Sequence, residues 1–149
     1  MNVDVFADDD VDAGLVDAAG DVAGVAHAAL VAVALADAEL SVRLCADDAI
    51  HALNRVWRGK DKPTDVLSFS QGARPGAGRV HAGDLVISLP TAARQAEERG
   101  HPLAFEVRVL VVHGVCHLIG HDHEDDAEAE VMEALERQIL AGLPPGSCS

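Results

Sequence analysis

Paired cysteines are missing from this chain. Cys45, Cys116 and Cys148 are odd in number and form no CxxC motif, so no disulfide framework is implied. A membrane-length apolar run is missing too. The longest, Val22 to Ala36, has fifteen residues, with His27 inside it and Asp21 and Asp37 at its ends. That falls short of the ~20 residues needed to cross a bilayer, and it reads as a core helix. The N-terminus is acidic where a secretory signal would be basic, so a cytoplasmic protein with no membrane partner is expected. No repeat or low-complexity linker interrupts the 149 residues. One domain over 1–149, burying roughly 70% of its unfolded surface, is the simplest organisation. Cations are scarce: 11 Lys and Arg face 25 Asp and Glu, for a net charge of −14. Phosphate binding is mainly a matter of cations, so the overall balance argues against nucleic acid.

Their distribution reverses that argument. Arg55, Arg58, Lys60, Lys62, Arg74 and Arg79 put six of the eleven basic residues within 25 positions, against Asp61 and Asp65 alone; the segment carries +4 and the remainder −18. A solvated basic loop would look the same, yet a polyanion could bind there if the fold keeps the acidic faces away.

The stretch His113-Gly-Val-Cys-His117-Leu-Ile-Gly120-His-Asp-His123 holds four of the eight histidines in eleven residues. If the run is helical, His113 and His117 lie one turn apart on one face, roughly 5–6 Å between Cβ atoms. Gly120 can adopt the left-handed conformation that ends a helix, which lets His123 approach from a third direction. Three imidazoles with an open fourth position are what a catalytic zinc requires; a structural site is closed by four ligands. A lone histidine on an apolar helix is usually a packed or solvated residue, but three at this spacing point to one zinc ion held by His113, His117 and His123. His121 reads as a rim residue. Cys116, about 60° round the helix from His113, reads as a small buried thiol.

The chain pattern predicts an edge strand at 2–6 and an Ala-rich helix from about Leu15 to Ala36. A half-buried strand carries Leu40, Val42 and Leu44. Asp47 caps a helix whose apolar positions Ile50, Leu53 and Trp57 share one face. Pro63 breaks the chain before a strand at 65–69, and Gln71 to Gly78 is a loop. A strand at 84–89 leads into a helix ending at Gly100, followed by the histidine helix from about Leu103 to Ile119. Asp125 with Glu128 resembles a capping box for a last helix bearing Val131, Leu135 and Ile139. The order β-α-β-α-β-β-α-α-α indicates an α+β domain, helices packed on a four-stranded mixed sheet.

Two segments resemble a known family. His113 to His123 is similar to the HGxLHLxGyDH signature of the YbeY family, metal-dependent endoribonucleases of bacterial rRNA maturation. Leu53-Asn-Arg-Val-Trp-Arg58-Gly-Lys60-Asp-Lys62-Pro-Thr-Asp65-Val-Leu-Ser-Phe69 resembles its second block, and Gly83-Asp84-Leu-Val-Ile a third. Cys116 stands where leucine is usual, and His121 where tyrosine is common. The resemblance implies zinc at His113, His117 and His123 beside a cleft that receives single-stranded rRNA, with Arg58 functionally important and in reach of RNA. It also implies processing of the small-subunit rRNA 3′ end, ribosome quality control, and association with the ribosomal small subunit and an assembly GTPase.

The chemistry can be argued alongside. Zinc on three neutral imidazoles, His113 among them, lowers the pKa of its water toward about 7. A guanidinium such as Arg58 can grip phosphate with two prongs and offset developing charge, while Arg55, Lys60 and Lys62 can hold the strand. Asp65, Asp84 and Asp122 could orient ligand imidazoles, although capping or surface roles serve each as well. Two rivals remain: a zinc peptidase, since the ligand spacing is that of metzincins but with Gly114 at their glutamate position, and a metal-stabilised ribosome-assembly factor with little nuclease activity.

Overall fold

A computed structural model describes residues 2–71, 80–120 and 126–142. Alternation decides the sheet. In β2 (Glu39–Cys45), Leu40, Val42 and Leu44 are buried on one face, and β2 runs parallel to β1 (Val3–Ala7) on one side and to β4 (His81–Ser88) on the other. β3 (Val66–Ser70) lies antiparallel to β4 at the far edge, which gives the order β1-β2-β4-β3. Placed centrally, β4 is covered on both faces, and its consecutive Leu85, Val86 and Ile87 are all buried. Its Leu85 and Ile87 join the main core, whereas Val86 packs with Cys45, Ile50 and Leu67 in a smaller one.

Six helices pack on this sheet, the α+β arrangement expected. They are α1 (Ala13–Ala18), α2 (Val22–Ala32), α3 (Asp47–Arg58), α4 (Leu89–Arg99), α5 (Leu103–Leu118) and α6 (Asp126–Gly142). The main core joins α2 and α5 to the sheet face bearing Leu40, Val42 and Leu44, and α3 covers the other face. Gly100, with φ of 71°, stops α4, and Ile119 caps α5, as the sequence predicts. Among the described residues no helix is long and apolar enough to cross a membrane.

Four local expectations need correction. The single helix from Leu15 to Ala36 is two: Gly20 turns left-handed at φ 79°, and Asp21 starts α2 by accepting from the Gly24 amide. Asp47 does not cap α3, because its carboxylate instead accepts from Ser88 and Thr91 (both 2.6 Å) and from Arg94 (2.9 Å), tying α3 to α4. Trp57 is not on the buried stripe with Ile50 and is 66% exposed. On α6 the inward residues are Met132 and Ile139, with Leu135 partly buried, while Val131 faces solvent. The capping box at Asp125, the loop at 72–78 and Cys148 lie outside the described residues.

Candidate functional site

The last two turns of α5 are buried apart from two side chains. From 110 to 118 every residue is buried except His113 and His117, so the helix shows solvent a pair of imidazoles. Their rings sit 4.6 Å apart at 72°, and the two Nε2 atoms are separated by 3.1 Å. Zinc–nitrogen bonds of about 2.0–2.1 Å in a tetrahedron place neighbouring donors roughly 3.3 Å apart, close to the spacing seen. Two nitrogen lone pairs facing at this range repel, so a shared proton or a cation must lie between them. The pair therefore fits a metal. Gly120 takes φ of 94°, the turn that the sequence reading requires after the helix. His121, Asp122 and His123 lie outside the described residues. Among the described residues no group of three or more metal-binding side chains is assembled.

A carboxylate that the sequence reading missed supports the pair. Glu136 on α6 puts Oε1 2.9 Å from His113 Nδ1. An ionised carboxylate only accepts, so Nδ1 carries the proton and Nε2 presents its lone pair to the site. Such carboxylate–histidine pairs fix the tautomer and raise the basicity of a ligand. Glu136 lies 23 residues downstream on a different helix, and no spacing rule links it to His113. Of the carboxylates named for this role, Asp65 accepts from the Val66 amide and the Thr64 hydroxyl, and Asp84 faces His81 at 3.7 Å.

The neighbours of the pair are chosen by packing. Gly114 lies against the sheet, where an added Cβ would come within 2.7 Å of Leu85 and 3.3 Å of Ser68 Oγ. Leu85 is fully buried and has little room to yield. A metzincin-like glutamate at this position would be driven into the core, which counts against the peptidase reading. Burial pushes the Cys116 thiol up to about 12, with the Glu136 charge adding to the effect; it stays a protonated, buried thiol.

A cleft of about 710 Å³ opens in front of the imidazoles. It is lined by His113, His117 and Gly120, by Ser68 and Ser70 of the edge strand β3, and by Arg58, Lys60 and Lys62. Ser68 and Ser70 donate to the carbonyls of Gly114 and Leu118, 3.2 and 3.0 Å, which fastens β3 to the histidine helix. Gly59, left-handed at φ 69°, ends α3, and buried Asn54 then holds the lysine loop twice. Its carbonyl accepts from the Lys60 amide at 3.2 Å and its side chain donates to the Lys62 carbonyl at 2.9 Å. Arg58 donates to the Ser68 carbonyl and stands 5.5 Å over the Phe69 ring. The structure thus brings Arg58, Lys60 and Lys62 into one cleft with the histidines. Arg55 is exposed on α3 but does not line the cleft, and Arg74 and Arg79 lie outside the described residues.

The family described as Endoribonuclease YbeY matches residues 13–144. The chain is 53% identical to an Endoribonuclease YbeY from Chromohalobacter salexigens over 108 residues, covering 72% of this chain and 70% of that one. A relative of the same name from Azorhizobium caulinodans is 46% identical over 149 residues, 96% of this chain and 92% of its own. A Thermotoga maritima protein known from its solution structure has a similar fold, with a TM-score of 0.58 at 22% identity, over 93% of this chain and 86% of that one.

Proposed function

Because the chain belongs to the Endoribonuclease YbeY family, we propose that it is a single-strand-specific, zinc-dependent endoribonuclease that cuts RNA in the cleft that the α5 imidazoles share with Arg58, Lys60 and Lys62. Its substrates are precursors of small-subunit rRNA, at the 3′ end and in ribosome quality control. Contact with the small subunit and an assembly GTPase belongs to the same proposal and rests on the family alone.

One observation carries the RNA reading. In an acidic chain three arginines away from the cleft are neutralised: Arg43 by Asp8, Arg94 by Asp47, Arg99 by Glu106. Arg58, Lys60 and Lys62 form no ion pair with a carboxylate among the described residues. Three uncompensated cations in one cleft with an imidazole pair make a place for phosphate next to a metal.

His113 and His117, with His123 as third ligand, would hold the ion, and when bound it would supply Lewis acidity and a more acidic water. The protein's own part is positional. Glu136 sets the His113 tautomer. Arg58, fixed by the Ser68 carbonyl and the Phe69 ring, keeps further N–H groups for a phosphate oxygen and for charge that develops on it. Lys60 and Lys62 hold the flanking backbone, as point charges rather than forks.

Purified protein should carry about one zinc, and His117→Ala should lose most of it, whereas His121→Ala should keep it. Wild type should cut unpaired precursor rRNA in a chelator-sensitive manner, cut duplex RNA poorly, and leave casein intact. Peptide hydrolysis that tracks zinc content while RNA survives would sink this function. Binding to ribosomal particles with neither substrate cut would favour the assembly factor.

A further inference from the structure

Trp57 is exposed where its sequence position suggests burial, and what surrounds it indicates a use. Its ring is not loose. It meets Phe69 edge-on at 6.2 Å and 76°, and Phe69 is anchored in the small core with Ile50 and Leu67. Phe69 also carries the Arg58 guanidinium, at 5.5 Å. One half-buried ring therefore holds both an exposed indole and a cation that lines the cleft. Both residues come from the last turn of α3.

We propose that Trp57 is a stacking platform for an unpaired nucleobase of an RNA strand whose phosphate backbone is held at Arg58. This rests on the reading of the cleft as a single-stranded RNA site and adds to it a subsite for the base. Every base has a π-face, so an indole fixed by packing binds bases without regard to sequence. Stacking on aromatic side chains is also how single-stranded RNA, with splayed bases, is told from a duplex whose bases are already stacked. The indole and the guanidinium share Phe69 as a neighbour, so a base on Trp57 and a phosphate at Arg58 can belong to adjacent positions of one strand. Charge complementarity selects this occupant: Arg58, Lys60 and Lys62 have no carboxylate partner among the described residues, and a nucleic acid strand supplies phosphates and rings at regular spacing.

Trp57 is the chain's single tryptophan, so its fluorescence reports on this place and no other. The probe is a short 2′-O-methyl oligouridylate, compared with an abasic strand of the same backbone and length. Quenching should saturate with the same Kd that anisotropy of a labelled strand gives. Trp57→Ala should weaken the oligouridylate on the order of tenfold, Trp57→Phe should lose less, and the abasic strand should bind wild type and Trp57→Ala alike. Thermal stability of the Phe variant should match wild type, which separates stacking from misfolding. Tight binding without quenching, with Trp57→Ala unaffected, would overturn the stacking subsite and leave the RNA site standing. Failure of wild type to bind either strand would overturn both.

Discussion

At the scale of single residues, Glu136 and Arg58 do different work: one stands behind His113, the other lines the cleft. Glu136 reaches His113 Nδ1 at 2.9 Å and prepares Nε2 as a donor. Loss of such a partner typically costs about 10–100-fold in metal affinity. Competition with a chelating dye should show that drop for Glu136→Ala and a smaller one for Glu136→Gln, whose amide oxygen still accepts. Equal zinc retention in all three proteins would make Glu136 a packing residue only. Arg58 is exposed, and its contacts with Ser68 and Phe69 together contribute on the order of 1 kcal/mol to folding. Arg58→Ala should therefore keep its zinc and most of its thermal stability while RNA cleavage falls. Arg58→Lys should recover part, since an ammonium lacks the planar fork. A stability loss typical of a core mutation would make Arg58 structural.

At the scale of elements, the histidine helix depends on how closely α5 lies on the sheet. Gly114 permits that approach, with Leu85 and Ser68 occupying the space a side chain would need. Overpacking a filled core costs about 1–3 kcal/mol. Gly114→Ala should lower the denaturant midpoint by a corresponding amount and separate the imidazoles from Ser68 and Ser70, so zinc content should fall with stability. Unchanged stability would mean that α5 can lift from the sheet without loss. The sequence located this helix almost to the residue, because its apolar run and Gly120 are local signals. Elsewhere it misled. Trp57 shares helical spacing with Ile50, yet against the edge strand β3 it meets the edge of Phe69 and stays 66% exposed, and α6 is rotated so that Met132 faces inward rather than Val131. Periodicity shows that a stripe exists; which residues at its margins are buried depends on the shape of the neighbour.

Across the whole molecule, charge sets the conditions under which fold and site survive. The hydrogen bonds from Arg43 to Asp8 hold that carboxyl below its ordinary 3.8, outweighing desolvation. For Asp47 burial pushes upward, but hydrogen bonds from Ser88, Thr91 and Arg94 win, and the pKa is lowered from 3.8. A depressed folded-state pKa contributes stability that is fully present above the unfolded value and is lost as pH falls through the folded one. Stability by urea denaturation should therefore decline below about pH 4, and Asp47→Asn should shrink that decline. A midpoint that does not move with acid would show these contacts to be energetically silent. RNA binding should respond to salt in the opposite sense to what the net charge of −14 suggests. If Arg58, Lys60 and Lys62 each neutralise one phosphate of a single strand, the log–log slope should be about −2. A slope near zero would mean that the strand is not held by these cations.

What the chain determined by itself is whatever depends on neighbours in sequence. That covers the strand at Leu40 to Leu44, the helix that puts His113 and His117 on one face, the turn at Gly120, and the cluster of Arg58, Lys60 and Lys62. Each follows from backbone periodicity, which is fixed over a few residues. The tertiary structure decided the rest. It set Glu136 behind His113 from a helix 23 residues away and withdrew Asp47 from its cap to join α3 to α4. It also turned Trp57 outward beside Arg58. A carboxylate takes the strongest donors that the fold brings within reach, and a ring is buried only if another element covers it. Both outcomes depend on distances through space, which no local pattern encodes.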